Sequence, residues 1–224
     1  NLITGEQIAK DGFGNFYPTF SKDGKKVYYI SNKSSDYFGP AGIYEYDLET
    51  KKEKNIVGGV RSTFSFISGQ DKIIYAKISD DNKNWYNVHD LFVYDLTTKD
   101  ETRLTYNLRA NNPSISNDGK KIVFLFQKDG TTNLGSIDVD GKNFKRLTFF
   151  ENGEQVYNPK YSTDDSYIIF DYSYANTRDI AKVNSDGGNV EFIIATDNDE
   201  RNPTFDKEGN LIYSSDETIF TPMI

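Results

Sequence analysis

The 224-residue sequence contains no cysteine. Disulfides, thiolate catalysis and cysteine-ligated metal centres are excluded with it. Histidine occurs once, at His89, so a metal site built on several imidazoles cannot form. That imidazole, one residue from Asp90, is a lone acid–base group or a plain surface residue. No apolar run is long enough for a transmembrane helix, and the mean hydropathy is −0.67. Positive charge is the scarcer sign, with 26 Lys and Arg against 34 Asp and Glu. The resulting net charge of −8 repels phosphate backbones, so non-specific nucleic-acid binding is not expected. Such a surface serves solubility or an acidic docking face. Gly-x-Ser-x-Gly is missing, and a serine-hydrolase elbow with it. Gly12-Phe13-Gly14 lacks the strand-then-helix setting of a dinucleotide site. The chain opens on Asn1 rather than methionine, which suggests a processed or trimmed form.

Tyrosine and phenylalanine are abundant, 16 of each, as suits strands. Residues 112–148 hold one full copy of a recurring unit. A short strand at 113–116 meets a tight turn, Asn117-Asp118-Gly119-Lys120, and an apolar strand at 121–126. A polar loop, 127–133, leads to a third strand at 134–139, the turn Asp140-Gly141-Lys142, and a strand ending in Arg146-Leu147-Thr148. Asp-Gly between apolar runs is a strong hairpin signal, because glycine accepts the positive φ of such turns. Aligned on Pro18, Thr63, Pro113, Pro159 and Pro203, the copies recur at steps of 45, 50, 46 and 44 residues. A period of about 40–50 residues with four strands per copy marks a β-propeller.

Residues Pro18 to Lys26 (PTFSKDGKK) and Asn112 to Lys121 (NPSISNDGKK), with the later Asp-Gly and Leu-Thr, resemble the TolB-like, WD40-like (PD40) repeat. The resemblance covers nearly the whole chain. It implies an all-β propeller and an extracytoplasmic location, in the periplasm or at the cell surface. Propellers of this kind serve as binding modules, enzyme lids and enzymes alike, so the fold alone does not fix the activity.

We expect one propeller domain, residues 1–224, with repeats near 16–57, 61–105, 111–148, 157–195 and 201–224. The fifth repeat is short of a fourth strand, which Asn1-Leu2-Ile3-Thr4 would supply, closing a five-bladed ring and removing exposed edges. TolB members, by contrast, have six blades, which at this period need roughly 270 residues.

In a four-stranded meander, the turns after strands one and three share one rim and all other connections share the opposite rim. The first rim carries tight turns with little room for chemistry. The second is expected to carry long loops at 32–42, 79–90, 127–133 and 172–178, and the connections 5–15, 106–111, 149–157 and 197–201. Recognition usually resides on such loops. Candidate binding residues there are Tyr37, Phe38, Trp85, Tyr86, Tyr106, Arg109, Tyr157, Tyr174, Arg178 and Arg201, since aromatic and arginine side chains supply most interface hot spots. Individual rings among them serve equally well as packing between blades. Asn112, Asn158 and Asn202, each before a proline, are expected at the channel mouth, presenting amides to a ligand or capping turns.

The preferred reading is a non-enzymatic, monomeric module that docks a protein partner, without catalytic residues, cofactor or metal. The acidic turns at 80–81, 164–165 and 197–200 lack the EF-hand pattern and read as solvated turns or calcium sites. The alternative is a carbohydrate-binding or carbohydrate-active propeller, with Trp85 and the tyrosines as stacking platforms. Its carboxylates would come from Glu154, Asp171, Asp179, Asp199 and Glu200.

Overall fold

The computed structural model describes residues 7–33, 41–79, 88–175 and 177–216. Among them every regular element is a β-strand, and neighbouring strands pair antiparallel. The chain divides into two compact units, Asn1–Thr63 and Phe64–Ile224.

The first unit holds β1 (Asn15–Phe20), β2 (Lys26–Ser31), β3 (Ala41–Asp47) and most of β4 (Glu53–Phe66), paired in sequence order. Val27, Tyr29 and Tyr44 form its buried cluster. Lys33 lies 4.3 Å from the Tyr44 ring centre and 2.6 Å from the Glu53 carboxylate.

The second unit repeats one meander. The first copy has the end of β4, then β5 (Lys72–Ile78), β6 (His89–Asp95) and β7 (Glu101–Arg103). The next comprises β8 (Asn111–Ile115), β9 (Lys121–Lys128), β10 (Thr131–Asp138) and β11 (Lys145–Arg146). The third comprises β12 (Gln155–Tyr161), β13 (Tyr167–Tyr174), β14 (Thr177–Asn184) and β15 (Glu191–Ile194). The pair β16 (Glu200–Phe205) and β17 (Leu211–Ser215) follows. First strands stand side by side, β12 lying against β8 and β16, and β8 also packs against the second strand β5.

Period-two patterning explains this stacking. In β9, Ile122, Phe124 and Phe126 join the core shared with β5 and β6, while Val123 and Leu125 join the core shared with β13 and β14. Both faces of the strand are therefore buried, and each large apolar side chain contributes about 1.5–3 kcal/mol. In two copies the second Asp-Gly turn seats the copy on its predecessor. Gly141 and Gly187 have φ of 85° and 81°, and a Cβ on either would lie 3.0 Å from the backbone of Leu104 or Leu147. Glycine is thus demanded there by conformation and by contact together.

Three expectations change. The loops foreseen at 127–133 and 172–178 are tight turns, because β9 continues through Gln127 and Lys128 and β13 through Ser173 and Tyr174. Asp129 and Gly130 bridge β9 to β10 with φ of 51° and 79°, as a two-residue hairpin turn requires. Asn112, Asn158 and Asn202 do not cap turns. They sit inside first strands with φ of 48°, 48° and 56°, where the pairing register slips. These are β-bulges, and asparagine tolerates the left-handed conformation they impose. Finally, Ile67 N–H bonds Lys72 O as Ser116 N–H bonds Lys121 O. Phe64, not Thr63, therefore stands level with the prolines. Closure through residues 1–4 and a third strand at 218–224 fall outside the described residues.

Candidate functional site

Within the second unit, one rim gathers the connections between successive sheets. Residues Asn107 and Arg109 line a recess of about 540 Å³ together with Gln127, Lys128, Asp129 and Gly130. Gln155 Nε2 donates to Gly130 O at 2.7 Å, and Gly153 N–H to Thr131 Oγ1 at 3.0 Å. Further along, Asn158 Nδ2 donates to Asn202 Oδ1 at 3.0 Å. The rim is thus continuous from 107 to 202.

A clasp built from Arg-Leu-Thr fixes its connections. Arg103 Nε donates to Thr105 O at 2.8 Å, and Arg146 Nε to Thr148 O at 2.7 Å. The threonine hydroxyls accept from Leu91 N and Leu134 N, both at 2.9 Å. The Asp90 carboxylate completes the first clasp. It accepts from Thr105 Oγ1 at 2.8 Å, Asn107 N at 3.0 Å and Arg103 at 2.8 Å. Asn133 occupies the same place in the next sheet, accepting from Thr148 Oγ1 at 3.0 Å and Phe150 N at 2.8 Å. Held this way, the arginines sit over exposed rings, with Arg103 4.4 Å from the Tyr106 centre and Arg146 4.7 Å from Phe149. Arg178 stacks similarly on Tyr157 at 4.3 Å.

Asp171 is fully buried beneath this rim. It accepts from Asn158 Nδ2 at 3.0 Å and Asn202 N at 3.1 Å, with Arg178 at 3.9 Å. Burial pushes its carboxyl up to about 6, against those hydrogen bonds. Asp179 is likewise raised, by burial first and then by Glu200 and Asp199. Glu200 is 1% exposed, accepts from Thr196 Oγ1, and leaves Oε2 without a partner among the described residues. Among those residues no group of three or more His, Asp or Glu side chains is placed to hold a metal ion. No helix long and apolar enough to cross a membrane occurs among them.

The structure therefore brings Tyr106, Arg109, Tyr157, Arg178, Arg201, Asn158 and Asn202 onto one rim. Tyr174 stands exposed at the end of β13. Tyr37, Phe38, Trp85 and Tyr86 lie outside the described residues. Sequence reasoning missed Phe149, exposed and arginine-stacked, although its place after Arg-Leu-Thr mirrors Tyr106. It also missed the Asp90 and Asn133 partners of the clasp.

Four-stranded meanders stacked face to face, with tight Asp-Gly turns on one rim and clasped connections on the other, define a β-propeller repeat protein. The chain belongs to the TolB beta propeller domain (PD40) family, whose pattern it matches over residues 16–221. No curated relative matches its sequence. Among solved structures, TolB from Acinetobacter baumannii is 22% identical with a TM-score of 0.70, over 92% of this chain and 50% of that one. An oligogalacturonate lyase from Vibrio parahaemolyticus is 18% identical with a TM-score of 0.66, over 93% and 61%. A prolyl endopeptidase is 15% identical with a TM-score of 0.67, over 92% and 33%. The chain thus spans about half the length of the TolB structure, and these likenesses concern the fold.

Proposed function

We propose that this chain is a non-enzymatic, extracytoplasmic binding module that docks a protein partner on the clasped rim. The observation that carries the reading is the concentration of arginine there. Of six arginines in the sequence, Arg103, Arg109, Arg146, Arg178 and Arg201 are on this rim. Three of them are stacked on aromatic rings, and Tyr106 and Phe149 are each 64% exposed. Pre-ordered arginine–aromatic pairs offer area, donors and little entropy loss on binding. Membership in the TolB family supports both the partner class and the extracytoplasmic placement.

A carbohydrate-active site needs carboxylates facing an open pocket. Asp171 and Glu200 instead occupy buried places that Leu125 and Ala110 fill in the copy built on β8–β11. That favours the binding role. The test is cross-linking to an envelope extract, comparing Tyr106→Ala/Arg109→Ala with a control, Lys142→Ala, on the opposite rim. A cross-linked partner lost from the first variant and kept by the second is expected. Equal capture by both removes the clasped rim as the docking face.

A further inference from the structure

The rim of tight turns, expected to have little room, carries a recess of about 390 Å³ between the β8–β11 and β12–β15 sheets. Two hydroxyls open into it. Tyr161 is 8% exposed and Ser136 7%, and neither hydroxyl has a hydrogen-bond partner among the described residues. The tyrosine is conspicuous within the repeat. Each hairpin closes with a backbone bond from the residue after this position: Ser21 to Lys26, Ile67 to Lys72, Ser116 to Lys121, Ser162 to Tyr167 and Asp206 to Asn210. The preceding residues are Phe20, Phe66, Ile115, Tyr161 and Phe205. Packing at this step asks only for an apolar side chain. The Tyr161 hydroxyl is an addition that the fold does not use, and it is presented to the recess.

The charged groups of the recess are already engaged. Lys145 Nζ lies 3.4 Å from Asp186, and Lys121 Nζ lies 2.5 Å from Asp138 just outside. Asp118 accepts from Ser116 Oγ at 2.7 Å and pairs with Lys120 at 3.1 Å. An anionic ligand would have to displace a carboxylate from one of these lysines. A neutral ligand with several hydroxyls would instead meet free valences: the Tyr161 and Ser136 hydroxyls and the spare lone pairs of Asp118 and Asp186. The volume suits a sugar ring or two.

We propose that this recess is a binding site for a neutral saccharide, with the Tyr161 and Ser136 hydroxyls as its polar contacts. It is separate from the docking rim and does not depend on that reading. The experiment is saturation-transfer difference NMR on the full chain with glucose, galactose and maltose, and with spermidine and inorganic phosphate as cationic and anionic comparators. At least one sugar should bind, and Tyr161→Phe/Ser136→Ala should weaken it by about tenfold, equivalent to about 1.4 kcal/mol. The variant keeps the ring that the sister hairpins carry as phenylalanine, and its melting curve reports folding separately. The proposal is overturned if no sugar binds, if the folded variant binds as well as the parent, or if only spermidine or phosphate binds.

Discussion

Asp171 and Glu200 are carboxylates placed where sister copies bury apolar side chains, and each has a measurable consequence. The folded Asp171 carboxyl titrates near 6, against about 3.9 in an unfolded chain. Between those values the folded state holds the extra proton, so stability declines as pH rises through about 4 to 6 and the loss is complete above. The size is on the order of 3 kcal/mol. Asp171→Asn should flatten this slope and leave the protein more stable than its parent at pH 7. Denaturant unfolding from pH 4 to 8 measures it, and an unchanged slope would clear Asp171 of the effect. Glu200→Ala restores the residue found at Ala110 and removes the unpartnered Oε2. We expect a gain of roughly 1–2 kcal/mol, after the lost Thr196 bond is subtracted. A lower melting temperature would mean that Oε2 is satisfied in solution.

The clasp is the element that turns a repeated Arg-Leu-Thr into a rigid rim. Asp90 is fully buried and Arg103 12% exposed, so deleting the carboxylate breaks a buried ion pair and leaves two backbone donors without their acceptor. Asp90→Ala should cost roughly 3–5 kcal/mol. Asp90→Asn should cost much less, about 1 kcal/mol, because Asn133 performs the same task one sheet later. Equal losses for the two variants, by urea titration, would show that shape rather than hydrogen bonding matters. The sequence disclosed half of this element. Arg-Leu-Thr and Asp-Gly repeat visibly, because a turn or cap constrains neighbours in the chain. The Asp90 and Asn133 partners lie more than ten residues upstream and differ in charge, so no local pattern marks them. The turn chemistry of Asp129-Gly130 is present in the sequence, but its strand boundaries are not. The apolar run stops at Phe126, whereas backbone pairing continues through the exposed Gln127 and Lys128.

At the scale of the second unit, stability should be graded. A stacked repeat is held by its own hydrogen bonds and by the apolar faces it shares with neighbours. β9 and β10 lie between two such faces, and Ile122, Phe124, Leu134 and Ile137 are essentially inaccessible. β16 and β17 share one face, through Tyr167 and Phe205, while Ile212 and Tyr213 remain 51% and 41% exposed. Opening free energy follows buried apolar contact, so protection against hydrogen exchange should be greatest in β9, β10, β13 and β14 and least in β17. Native-state exchange read by mass spectrometry tests this order. Difference in the β17 amides should be at least tenfold against β9, equivalent to about 1.4 kcal/mol. Protection in β17 equal to that in β9 would require a further surface covering Ile212 and Tyr213, and the unit would then be held from both ends.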